Sequence, residues 1–223
     1  MDNVFRPDWG IVTDRQEQPI RFPSASVIEN ALYNYNTVYR PPGNFVYCID
    51  ASGSMEGAGW DGVKRAADIL FDPDTAKKYM LLANPRDSTT VFIFDGDIKA
   101  GPWTVNGNRR DDLIELRNDI TGTSPGGDTN LRGCLARAAQ VFQGYGGDSR
   151  KKAVVLMTDG NDGGHDPAAI EQLASMHIPV IAIGFGESVD EHDLRDVIVA
   201  QTGGTYIHKD DVVSALRDAA GFR

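Results

Sequence analysis

Four short apolar runs constrain this chain more than anything else in it: 45–49 (FVYCI), 89–94 (TTVFIF), 153–157 (AVVLM) and 179–185 (PVIAIGF). Each is rich in β-branched or aromatic residues, continuous rather than alternating, and bounded by Gly, Asp or Pro. Runs of this kind suit parallel strands covered by helices on both faces. Between them the apolar period lengthens to that of helices, over roughly 60–82, 110–119, 131–143, 166–176, 190–201 and 211–221. In 131–143, for example, Leu131, Cys134, Leu135, Ala138 and Val141-Phe142 follow the rhythm of a buried helical face. Asp166-Pro167 offers a cap and a first-turn proline for the fourth helix. Two further strands are expected at 204–208 (GTYIH) and 101–105 (GPWTV), the latter a short antiparallel edge partner of 89–94. The expected fold is therefore α/β: a doubly wound, mostly parallel six-stranded sheet with helices on both faces.

At 223 residues, one α/β domain is the natural organisation of the core. Residues 1–44 differ in character, with Pro7, Pro19, Pro23, Pro41 and Pro42, one helical stretch around Ser26–Tyr39 and no core strand. They read as an N-terminal arm, or the remnant of an upstream domain, before a main domain at 45–223. The excess of 32 acidic over 22 basic residues argues against nucleic acid, which is bound through clustered Lys and Arg. No apolar run approaches the ~18 residues that span a bilayer. The start Met1-Asp2-Asn3-Val4-Phe5 lacks the features of a signal peptide. Cys48 sits in an apolar strand and Cys134 in an amphipathic helix, so two buried thiols are expected; a disulfide is left open, and with it the redox compartment.

Ligands of doubly wound folds bind beyond the carboxyl ends of the strands, where the winding reverses. Three polar segments fall at such ends. Asp50-Ala51-Ser52-Gly53-Ser54 follows the first strand, and Thr158-Asp159-Gly160 follows the run 153–157. The third, Ser124 to Asn130, is a Gly-rich loop that opens the helix 131–143. If the first and fourth strands are neighbours, these loops converge and supply two carboxylates and three hydroxyls, an oxygen set suited to a hard divalent ion such as Mg²⁺. The four histidines lack zinc-ligand spacing, and the chain has neither a phosphate-binding G-x-x-x-x-G-K-[ST] loop nor a G-x-S-x-G elbow. Asp95 and Asp97 read as turn residues after the second strand, and Trp60 as packing for the helix that follows the metal turn. Asp162, His165 and Asp166 are candidates for the rim of the site.

With these residues assembled, the chain resembles the von Willebrand factor type A family and its metal-ion-dependent adhesion site. The family pattern is D-x-S-x-S, then a Thr in a Gly-rich loop, then the Asp of a T-D-G turn. Here the matching residues are Asp50, Ser52, Ser54, Thr129 and Asp159. The loop departs from the pattern in carrying Asp128 directly after the Gly pair; Thr129 is the match because Asn130-Leu131 and the helix align with it. The resemblance implies that Ser52 and Ser54 bind the ion directly, with Asp50 and Asp159 acting mostly through water. It further implies Mg²⁺, with Mn²⁺ and Ca²⁺ as the other ions for such a site, and a protein partner whose acidic side chain completes the coordination.

The expected function is thus a non-enzymatic, metal-dependent protein-binding module. One rival is a dehalogenase-like phosphoryl transferase, which needs an acid–base Asp where this chain has Ser52. The other is a structural scaffold whose metal site is unused. The stretch from Ser26 to Leu32 and on through Tyr39-Arg40-Pro41-Pro42 also resembles the junction of bacterial proteins that join a solute-binding-like domain to a C-terminal domain of this family. Those are typically exported lipoproteins, which implies an extracytoplasmic module anchored through a missing upstream region; a cytoplasmic protein is the alternative.

Overall fold

The computed structural model describes residues 22–145, 149–160, 162, 166–185 and 189–208. Each expected strand forms: β1 (Gly43–Asp50), β2 (Ser88–Phe94), β3 (Ile98–Asn106), β4 (Lys151–Thr158), β5 (Val180–Gly184) and β6 (Thr205–His208). They make one sheet in the order β3-β2-β1-β4-β5-β6, parallel throughout except for β3 against β2. β1 and β4 are therefore adjacent, with Ile49 level with Met157, and the winding reverses between them. The chain divides into two compact units, Met1–Tyr39 and Arg40–Arg223. In the first, helix α1 (Ala25–Asn34) runs on as a π-helical turn, Tyr35–Tyr39, where the sequence predicts its helical stretch.

The continuous apolar runs are explained by the two faces of the sheet. Tyr47, Ile49, Val91, Ile93, Val155, Met157 and Ile183 point to one side, against helices α2 (Ala58–Phe71) and α4 (Arg110–Gly122). Their neighbours Val46, Cys48, Phe92, Phe94, Val154, Leu156, Val180 and Ala182 point to the other. There they meet α5 (Leu131–Gly144), α6 (Ala168–Ser175) and a π-helical segment, His192–Val199. Because successive side chains alternate across a strand, both faces can be dry only if nearly every residue is apolar.

Three expectations are corrected. The single helix over 60–82 is two, because Pro73 ends α2 at Phe71; Asp72 then caps α3 (Pro73–Lys78), its Oδ1 accepting from Thr75 N at 2.8 Å. The edge strand is longer than 101–105. It begins at Ile98 and carries a bulge that sets Gly101 and Pro102 opposite Phe92. Pro102 has no N–H to offer a further strand, which blunts this edge of the sheet. Finally, Cys48 and Cys134 are not two thiols but a disulfide. Cys48 points at the buried face of α5, where the two Cα atoms stand 6.1 Å apart. The helix expected at 211–221 lies outside the described residues.

The disulfide closes a long loop, with the two cysteines 86 positions apart. Unfolding the protein in denaturant without reductant should expose no free thiol, and two after reduction. Reduction should lower unfolding stability by about 2–4 kcal/mol. Thiol titration together with paired denaturant melts checks both; two titratable thiols before reduction would remove the cross-link from the fold.

Candidate metal centre

β1 delivers Asp50 to the end of the sheet at the point where β1 and β4 diverge into different loops. The carboxylate is fully buried and is held by two short contacts. Ser52 N donates to Oδ1 at 2.8 Å, and the Thr158 hydroxyl, at the end of β4, donates to Oδ2 at 2.6 Å. Thr158 Oγ1 in turn accepts from Gly160 N at 2.9 Å. The first contact closes a tight Asx turn, which brings Ser52 Oγ within 3.1 Å of Ser54 Oγ. Ser52 is buried and Ser54 exposed, so the pair forms a ladder of hydroxyls from the interior to the surface.

The Gly-rich loop is laid across this turn by its backbone. Gly126 N donates to Ala51 O at 2.8 Å, and Gly53 N to Gly127 O at 3.0 Å. Gly127 has φ +96, and a Cβ there would stand 3.0 Å from Asp95 Oδ2, so this close approach favours glycine. Asn130 fixes the loop's far end: its N donates to Asp95 O at 2.7 Å, and its Oδ1 caps α5 by accepting from Gly133 N at 2.9 Å. Thr129, half-buried, lies between these anchors; among the described residues its hydroxyl makes no hydrogen bond to the other four. Asp159 is buried, and its main-chain oxygen accepts from Asp190 N at 2.9 Å.

Burial pushes the Asp50 carboxyl up to about 6, Asp159 pushes it the same way, and the hydrogen bonds from Thr158 and Ser52 pull against them. Among the described residues no basic side chain pairs with Asp50, and no three His, Cys, Asp or Glu side chains converge. Any cation here would rest on hydroxyls and on two neighbouring carboxylates. That donor chemistry fits a hard divalent ion, whose positive charge would offset the buried negative charge.

The structure thus brings Asp50, Ser52, Ser54 and Asp159 together with the loop of Thr129. Asp95 and Asp97 form a turn as expected: Asp95 N donates to Asp97 O at 2.9 Å, and Asp95 pairs with Lys99 at 3.1 Å. Trp60 is buried in the core layer of α2. Of the expected rim, Asp166 accepts from Ala168 N at 3.0 Å at the start of α6, and His165 lies outside the described residues. The Asp162 side chain is buried rather than exposed at a rim, and is bonded to Arg132 at 3.0 Å. Sequence reasoning missed Thr158, although it stands in the Thr-Asp-Gly motif, and used Asn130 only for alignment. It also missed Lys99, whose ammonium reaches Gly126 O at 2.9 Å from the part of β3 that precedes the expected 101–105.

The strand ends at the reversal of a doubly wound sheet are where α/β domains of this class bind ligands, and here they carry Asp50, Ser52 and Ser54. The sequence model of the von Willebrand factor type A domain matches residues 44–220, and the chain belongs to that family. It is 25% identical over 171 residues to inter-alpha-trypsin inhibitor heavy chain H1 of Mesocricetus auratus; that match covers 72% of this chain and 18% of the heavy chain. The chain thus spans about a fifth of that relative's length. Among solved structures, it resembles an aerotolerance-related membrane protein from Bacteroides fragilis, with TM-score 0.64 and 19% identity over 79% of this chain and 96% of that one. The manganese-loaded Plasmodium vivax TRAP protein matches with TM-score 0.57 and 14% identity over 80% of this chain and 73% of that one. Among the described residues no helix is long and apolar enough to cross a membrane.

The raised pKa of Asp50 sets a sign for stability without metal. The folded state holds this proton more tightly than the unfolded chain, so the group's contribution is full below its ordinary value of 3.8 and is lost as pH rises through about 6. Asp50→Asn should therefore flatten the pH dependence of stability between pH 4 and 7, and should be at least as stable as the parent at pH 7.5. Thermal melts in EDTA test this; a large destabilisation of the variant at pH 7.5 would show that the charged carboxylate is itself stabilising.

Proposed function

We propose that this domain is a non-enzymatic, divalent-cation-dependent protein-binding module. The observation that carries the reading is Asp50, buried beside Asp159 without a basic partner among the described residues and directly beneath two hydroxyls 3.1 Å apart. In this reading Ser52, Ser54 and Thr129 offer neutral oxygens to Mg²⁺, and Asp50 and Asp159 offer their charge largely through water. Bound there, the ion would supply an electrophilic centre for a carboxylate from a protein partner. Asp50 orients Ser52 through its backbone N–H, and Thr158 holds Asp50 in place. Mn²⁺ and Ca²⁺ fit the same oxygen donors, and the TRAP neighbour is described as manganese-loaded.

The absence of an acid–base carboxylate at Ser52 supports binding rather than phosphoryl transfer. Lys99 is near the loop, but it is engaged with Asp95 and Gly126 O. We propose a separate arm ahead of the binding domain, with the boundary at Tyr39–Arg40 rather than at 44/45, because β1 already begins at Gly43. An extracytoplasmic location is proposed on the Cys48–Cys134 disulfide, which persists in oxidising compartments.

Calorimetric titration of EDTA-stripped protein with Mg²⁺ and with Mn²⁺ should give one saturable site. It should be lost in the Ser52→Ala/Ser54→Ala double variant and weakened in Thr129→Ala. At a hundredfold excess over Kd, the ion should add about 2.7 kcal/mol to unfolding stability. Affinity should fall as pH drops through about 6, where Asp50 takes up its proton. A folded parent protein that takes up neither ion would favour the scaffold reading.

A further inference from the structure

Linked to the loops of the proposed ion site is a buried ionic cluster that the sequence did not announce. Arg132, in the first turn of α5, is 8% exposed and forks between two carboxylates. Its Nη1 donates to Asp162 Oδ2 at 3.0 Å and its Nη2 to Asp193 Oδ1 at 2.7 Å. The Arg132 backbone N–H also reaches Asp162 Oδ2, at 3.3 Å. Asp193 belongs to the π-helical segment, and its N–H is capped by Asp190 Oδ1 at 3.0 Å. Asp190 N bonds the main-chain oxygen of Asp159 at 2.9 Å.

The contacts close a ring. Arg132 stands three residues after Thr129, and Asp162 three residues after Asp159. The fork ties these two short leads together on one side, and Asp193 with Asp190 returns to Asp159 on the other. We infer that Arg132 is a positioning residue for the ion site: it sets the spacing and orientation of the Thr129 and Asp159 loops without touching the ion. The inference rests on the metal-binding reading proposed above.

Stability is a poor reason for such a cluster. A buried ion pair often contributes no more than apolar residues of the same shape would, because desolvation offsets the attraction. Here two of its atoms, Arg132 Nε and Asp193 Oδ2, are buried without a hydrogen-bond partner among the described residues. What the planar fork gives is geometry, since a guanidinium holds two carboxylates in fixed directions. Partners hydrogen-bonded directly to metal ligands alter metal affinity by about 10–100-fold when replaced, and a residue acting one step further out is expected near the lower end.

The test is a triple variant, Arg132→Met/Asp162→Asn/Asp193→Asn, which removes the charges together and strands none of them. In EDTA its melting temperature should stay within a few degrees of the parent. Its Mg²⁺ affinity by calorimetry should fall about 10-fold or more, and amide exchange over residues 126–133 of the metal-free protein should quicken. Arg132→Lys, which keeps the charge without the fork, should restore only part of the affinity. If the triple variant does not fold, Asp193→Asn alone opens one side of the ring and should still weaken Mg²⁺ binding. Parent-like affinity in a folded variant would overturn the role of Arg132 while leaving the ion site intact. A parent protein that binds no Mg²⁺ would remove both readings together.

Discussion

The Thr158 hydroxyl bonded to the buried Asp50 carboxylate joins the ends of two parallel strands at the one place where the sheet changes its direction of winding. A carboxylate buried to this degree is costly, and here the cost is met only in part by hydrogen bonds from Thr158 and Ser52. The surroundings are arranged around that residue. The Asx turn that partners one oxygen also presents Ser52 and Ser54; the hydroxyl that partners the other oxygen precedes Asp159. A single side chain thereby organises both loops that follow the central strands.

The third loop is held by a different means. Its position depends on backbone groups of residues 51, 53, 95, 126 and 127, with glycine at 127 allowing the approach and Asn130 fixing the start of α5. The Arg132 ring couples the same helix to the Asp159 loop. The loops of the site are thus tied by main-chain hydrogen bonds and, through Arg132, by charged side chains.

Much of this was legible in the sequence because the governing pattern is local. A strand buried on both faces must be apolar throughout, so runs such as TTVFIF and AVVLM disclosed both their conformation and their parallel pairing. The D-x-S-x-S turn and the Thr-Asp-Gly turn are likewise contiguous. What escaped were contacts between distant segments: Cys48 with Cys134, Lys99 with Gly126, and Arg132 with Asp162 and Asp193. An arginine in an amphipathic helix ordinarily lies on the solvated face, and nothing next to Arg132 signals that it turns inward. The break at Pro73 was visible but was overridden by an apolar rhythm that continues across it.

The disulfide bears on how the domain would carry tension. A pull on the chain from either end passes from β1 directly to α5 through Cys48 and Cys134, so the residues between them are not in the line of force. That loop holds the whole D-x-S-x-S turn, the edge of the sheet and the Gly-rich loop of Thr129. While the bond is intact, about 290 Å of contour length stays folded away, at ~3.4 Å for each of the 86 positions it spans. Four of the five proposed ion-site residues would thus be shielded from stretching, and only Asp159 would lie on the loaded path.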